Sequence, residues 1–254
     1  MKILTPFCLA LLLALLTPFP GAADEMISIR GGYQLLNVGG HFAGEDNGSG
    51  TNIDIDEDID FDDSNSWTAE GAIQFGNFRL SAGYLPMDFS GKSTLSDAIS
   101  FNGIIFPANN KVKGDIDLDF YDVGLTLYLI NFDDLPVRVQ LGPEVAAKIA
   151  NVDIRLKDET TGISQDVSGV GGLPTIGARG RVGLADYLGV VGRIGYMAYS
   201  GNSVTDAEIQ VEFSPIPLLG IYGGYRYIDI NVDESDVEID VQLQGPYVGA
   251  FARF

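Results

Sequence analysis

The residues best suited to chemistry are carboxylates near the start of the chain. Asp54, Asp56, Asp58 and Asp60 recur at every second position. A strand would set them on one face, about 7 Å apart. Oxygen ligands at that spacing suit a hard cation, so weak Ca²⁺ binding is the chemistry expected there. The spacing is not that of a helix–loop–helix calcium loop, which needs Gly at its sixth position and Glu at its twelfth. The competing reading is a solvated, repulsive loop, because residues 37–65 hold nine acidic residues and no Lys or Arg. Asp229, Asp233, Glu234 and Asp236 form a second acidic cluster that would join the first at one rim. Hydrolytic chemistry has little to work with. The only histidine is His41, and Asp46 and Ser49 complete a triad on paper alone. The only cysteine is Cys8. No enzyme and no transition-metal centre are expected.

A second set of charges sits inside alternating segments. Arg30, Glu70, Arg79, Arg138, Glu144, Arg179, Arg181, Glu208, Glu212 and Arg226 fall on the face opposite the apolar one, as does Arg193. Charges facing a narrow enclosed space must pair, since an unpaired buried charge costs several kcal/mol. These residues are therefore expected to line a lumen and nearly fill it.

The elements that position them follow from period-two alternation. Ten segments show it: 26–36, 66–75, 78–84, 115–130, 137–149, 173–184, 187–199, 204–214, 219–228 and 237–254. The connections after even segments are short: Gly76-Asn77, Asn131 to Pro136, Ala185-Asp186 and Pro215 to Pro217. Three after odd segments are long: residues 37–65, 90–114 and 158–172. Transmembrane barrels have short periplasmic turns, longer outer loops and aromatic girdles. Phe75, Phe78, Phe132, Tyr187 and Phe213 flank the short turns. The expected fold is all-β, an antiparallel transmembrane β-barrel of ten strands, with eight as the alternative count. A soluble two-sheet sandwich would also alternate, but it would place the arginine face in water. Pro143 and Pro246 fall inside strands, where Pro cannot donate to the ladder, so each marks an irregularity.

The ends and the composition agree. Residues 1–23 read as a signal peptide: Lys2, an apolar stretch from Ile3 to Leu16, and the small residues Gly21-Ala22-Ala23 before the cleavage point. Residues 24–254 then form one barrel domain without cysteine. Without Lys2 the chain carries 14 basic against 35 acidic residues, a charge of −21. Such a surface excludes nucleic acid as a partner. No later segment reaches the ~18 apolar residues of a membrane helix. Phe101, Ile104, Ile105 and Phe106 make an apolar patch inside an outer loop, read as a lid over the barrel mouth.

Four stretches carry a family resemblance. They are Asn52-Ile53-Asp54-Ile55-Asp56-Glu57-Asp58, Phe101-Asn102-Gly103-Ile104-Ile105-Phe106, Asp115-Ile116-Asp117-Leu118-Asp119, and Gly245-Pro246-Tyr247-Val248-Gly249 ahead of Phe251 and Phe254. In this order they resemble a family of small Gram-negative outer-membrane β-barrel proteins of unassigned activity. The resemblance implies residence in the outer membrane, among lipid and lipopolysaccharide. It also implies assembly by the barrel-insertion machinery, which reads the C-terminal strand, and it supplies no catalytic residue. The expected role is structural or surface-interacting, with acidic outer loops; the alternative is a narrow channel or carrier for small or hydrophobic solutes.

Overall fold

Alternation gives every strand two unlike faces, and a sheet of such strands can hide one face by closing on itself. The computed structural model describes residues 26–44, 52–55, 61–132, 137–199, 201–216, 218–234 and 237–254. Ten long strands build the wall: β1 (Ile27–Gly44), β3 (Ser64–Phe75), β4 (Phe78–Thr94), β7 (Lys111–Leu127), β9 (Arg138–Asp158), β10 (Ser164–Ala185), β11 (Leu188–Tyr199), β12 (Asn202–Ile216), β13 (Leu219–Glu234) and β14 (Val237–Arg253). Four three-residue strands accompany them: β2 (Asn52–Asp54) on β1, β8 (Ile130–Phe132) on β9, and the separate hairpin of β5 (Ile99–Phe101) with β6 (Ile104–Phe106). Each long strand pairs antiparallel with its neighbours, and β14 pairs with β1, Ser28 opposite Arg253. The barrel is closed, with ten strands and not eight, and closure leaves no edge in the wall nearer the short turns.

The short turns gather at one end with the start of β1 and the end of β14, where Ile27 and Phe254 are hydrogen-bonded. Gly76 takes φ +55 in the two-residue turn that sets Phe75 opposite Phe78. At the other end the strands run further than the sequence suggests. Residues 164–172, expected within a loop, continue β10 in register with β9, from Ser164 opposite Lys157 to Gly172 opposite Ile149. β11 pairs with β10 only as far as Ile176 opposite Tyr196, so this part of β10 stands as a ribbon with β9. Pro246 lies where the β1–β14 ladder lapses, between the pairs Gln34–Tyr247 and Asn37–Gln244. Pro143 lies just past Thr126 opposite Glu144, where pairing of β9 with β7 ends before β8 takes over.

The faces exchange character part-way up the wall. At the level of Ser81, Gly124 and Ala146, and one step higher at Gly83, Asp122 and Lys148, inward positions are small or charged. The outward residues beside them are apolar: Leu80, Val123, Leu125, Val145 and Ile149 are all exposed. The next inward level is Leu85, Phe120 and Ala150, followed by Met87, Leu118 and Val152. The outward residues at that height are Asp88, Asp117 and Asp153 on three adjacent strands. Three aromatic rings of the outer wall mark the switch. Tyr84 packs 4.9 Å from Tyr121 and 5.2 Å from Trp67, centroid to centroid. Below it, the outer wall matches the apolar band of a transmembrane barrel, ~25 Å tall between aromatic girdles. Phe75, Phe78, Phe132, Tyr187 and Phe213 are all exposed near the short turns and form the lower girdle. A closed barrel with this outer belt is an outer-membrane barrel.

Above the girdle the barrel has an ordinary hydrophobic core. Leu36, Val38, Ile55, Leu85, Met87, Phe89, Ile116, Phe120, Ile228 and Leu243 form one buried cluster. The patch read as a lid folds inward beside it: Phe101 and Phe106 are buried with Leu95, Ile99, Val112 and Leu156, while Ile105 stays exposed.

Candidate functional site in the barrel lumen

Below the girdle, side chains on inward positions converge from all sides, because every second residue of every strand points there. One node is Asp206 on β12, 1 % exposed. Lys148 from β9 donates to it, Arg193 from β11 donates at 2.9 Å, and Arg226 from β13 lies at 3.5 Å. Asp122 on β7 accepts from Lys148 and from Arg193, both at 2.7 Å. Glu208 and Glu144 reach Arg193 at 3.8 and 3.9 Å, and the Thr126 hydroxyl donates to Glu144 at 2.7 Å.

The second node is Glu212 on β12, 2 % exposed, nearer the short turns. Arg30 donates to it at 2.8 Å, Arg253 also donates, Arg181 lies at 3.4 Å, and the Gln210 amide donates at 2.9 Å. Glu70 accepts from Arg79 at 2.9 Å, with Arg30 at 3.9 Å. Aromatic faces complete the cations' surroundings: the Phe251 ring centroid lies 4.1 Å from the Arg253 guanidinium, and Tyr222 lies 5.8 Å from that of Arg30. Tyr222 and Tyr247 fit because each lies across the ladder from a glycine, Gly249 and Gly224. A Cβ on Gly249 would stand 2.5 Å from the Tyr222 ring, and one on Gly224 2.6 Å from the Tyr247 hydroxyl.

Of the residues expected in the lumen, Arg30, Glu70, Arg79, Glu144, Arg179, Arg181, Glu208, Glu212 and Arg226 stand in it. Arg138 does not. Its side chain is 52 % exposed and lies 3.5 Å from Asp186, itself 94 % exposed, at the rim of the short turns. It opens β9, so its level is already outside the barrel. Asp122, Lys148, Asp206 and Arg253 also stand in the lumen, beyond the residues expected there. Strand parity alone would have found all four, for Asp206 continues the row of Glu208, Gln210 and Glu212.

Little space remains between these groups. Water-sized cavities of about 30 and 40 Å³ flank Glu70, Glu208 and Arg226, and one of about 20 Å³ lies nearer the short turns. Each holds one or a few waters. Networks of this kind are stable only when their charges are shared out, as they are at Asp206 and Glu212.

Outside the membrane, Asp158 closes the β9–β10 turn. Its carboxylate accepts the Thr160 and Thr161 N–H groups at 2.7 and 3.0 Å and the Asn110 amide at 2.7 Å. Enclosure pushes its pKa up, but these hydrogen bonds outweigh it and hold the group down at about 2. On the outer wall, partial desolvation and then the charges of Asp88, Asp115 and Asp153 raise the pKa of Asp117.

The proposed calcium ligands Asp56, Asp58 and Asp60 lie outside the described residues, as does the side chain of Asp54. Asp46, Ser49 and residues 1–23, the stretch expected to be a signal peptide, lie outside them too. No group of three metal-binding side chains occurs among the described residues. His41 sits on β1 between Asp54 of β2 and Asp240 of β14 in the ladder.

No family model and no curated protein matches the chain. Solved structures share its general form. The attachment invasion locus protein Ail of Yersinia pestis, in complex with the heparin analogue sucrose octasulfate, is 14 % identical over 91 % of this chain and 100 % of its own, with a TM-score of 0.40. The translocator domain of the autotransporter NalP from Neisseria meningitidis is 11 % identical over 99 % and 95 %, with a TM-score of 0.46. The Pseudomonas putida toluene transporter TodX is 9 % identical over 91 % of each chain, with a TM-score of 0.34. These overlaps are loose, and the outer-membrane assignment stands on the closed ladder and the outer apolar belt.

Proposed function

We propose that this protein is a closed barrel that anchors a rigid, surface-interacting structure outside the outer membrane, and that it is not a pore. The packed apolar core above the lipid level carries this reading. Met87 and Ile228 are 0 % exposed and Leu36 and Leu243 1 % exposed, across what would be the outer mouth of a channel. A channel needs that mouth open and wet; a scaffold for surface contacts needs it filled and stiff. The partners this reading proposes are lipid and lipopolysaccharide around the belt, and the barrel-insertion machinery acting on β14. Planar-bilayer recording tests it. Purified protein is expected to give no unitary conductance steps at moderate voltage. Reproducible steps that small solutes block would replace it with the narrow-channel reading.

A further inference from the structure

Five arginines line one cavity at the short-turn end of the lumen: Arg30, Arg79, Arg179, Arg181 and Arg253. Its other walls are Ser28, Gln74, Tyr128, Gln140 and Val191, so no carboxylate faces it. The carboxylates behind these arginines are Glu70 and Glu212, and each already serves more than one guanidinium. Five guanidiniums thus meet at one cavity whose lining holds no carboxylate, inside a chain whose formal charge is −20.

Arg179 carries the argument. It is 3 % exposed. Among the described residues no carboxylate comes within ion-pair distance of its guanidinium and no acceptor takes a hydrogen bond from it; Glu70 and Glu144 act on it only from farther away. Beside it the Ser28 hydroxyl, 5 % exposed, is buried with no hydrogen-bond partner. A buried guanidinium left this way is costly, and a planar fork of N–H donors is the natural complement of an oxyanion. The cavity leaves about 20 Å³ for the centre of a water-sized sphere, which suits one small ion. The Arg181 side chain, 26 % exposed, marks the approach from the periplasmic side.

We propose that this end of the lumen is a binding site for a small oxyanion of the phosphate or sulfate class. Arg79, Arg179, Arg181 and Arg253 supply charge-assisted donors, and Ser28 supplies a hydroxyl. The anion takes the place of the missing partner of Arg179 and ties the lower strands together. The site is independent of whether the barrel conducts.

Calorimetric titration of the folded, detergent-solubilised protein with inorganic phosphate at 0.15 M NaCl tests this. Saturable one-site binding is expected, weakened at least tenfold by Arg179→Met and unchanged by Arg138→Ala at the rim. Arg179→Met removes an unpaired buried charge without opening a large void, so the barrel is expected to fold. If it does not, Ser28→Ala is the second variant, with affinity expected to fall about threefold. Absence of saturable binding to the wild type would overturn the proposal. So would equal binding by Arg179→Met, or by Ser28→Ala where that is the variant used, or an equal loss in Arg138→Ala, which would reduce the effect to general charge.

Discussion

The two storeys of this barrel use the same strands and the same alternation to opposite ends. In the lower storey the outward face is apolar and the inward face charged; in the upper storey the inward face is apolar and the outward face carries Asp88, Asp117 and Asp153. On β7 the exchange takes place between Asp122, which binds Lys148 and Arg193, and Phe120, which packs in the upper core. What changes at that level is the solvent. Lipid outside demands an apolar wall, leaving polar side chains no place but the lumen; water outside restores the usual rule that apolar groups go in. The protein is thus a membrane barrel below and a soluble-type β-core above, carried on continuations of the same strands after β3 and β4 part at Ala69 and Tyr84 and β10 and β11 at Ile176 and Tyr196.

The two storeys are expected to fail differently. The largest effect belongs to the lower one. Asp206→Ala strands Lys148, Arg193 and Arg226 around a lost carboxylate. Breaking a buried charge cluster this way costs about 3–5 kcal/mol, to be read as a lower urea midpoint for the barrel refolded in lipid vesicles. In the upper storey Met87→Ala opens a cavity in an apolar core and costs about 2–5 kcal/mol. Its damage is expected to stay above the girdle. Hydrogen exchange should quicken in the outer halves of β4 and β7, while the inner halves keep their protection. Equal loss of protection in both storeys would show that they are one cooperative unit.

The smallest effect is at the Asp158 turn. The folded carboxyl sits near pH 2, below its ordinary value of 3.8. The stabilisation it gives is therefore complete above about pH 4 and is lost as pH falls towards 2. Pepsin cleavage at residues 159–163 is expected to rise over that interval in the wild type. In Asp158→Ala the turn should be cut equally throughout. A wild-type profile without that rise would remove the capping role.

Much of the lower storey was legible in the sequence. Strand number, parity and the tight turn at Gly76 follow from local pattern, because lipid imposes a strict two-residue alternation. The upper storey was harder. Asp115-Ile116-Asp117-Leu118-Asp119 alternates just as Tyr121 to Leu127 does, and periodicity does not tell which face is inside; only pairing with Asp88 and Asp153 does. Residues 164–172 read as a loop because Ser168, Gly169, Gly171 and Gly172 carry no apolar face. Their order comes from β9, a partner that local pattern cannot see. The buried network was legible as a set of charges but not as a set of bonds. Parity puts Arg138 and Arg179 on the same face, yet the height of each along the barrel decides that one meets water at the rim and the other is enclosed.

The level at which the faces exchange is the central claim, and lipid-borne quenchers measure it directly. Trp67 is the only tryptophan, so in a Trp67→Phe background single tryptophans placed at 125, 123, 121, 119 and 117 report depth along the outward face of β7. Brominated acyl chains are expected to quench positions 125 and 123 strongly, 121 chiefly from bromines near the headgroups, and 119 and 117 hardly at all. Strong quenching at 117 by bromines deep in the bilayer would put the upper storey inside the membrane and contradict the two-storey barrel.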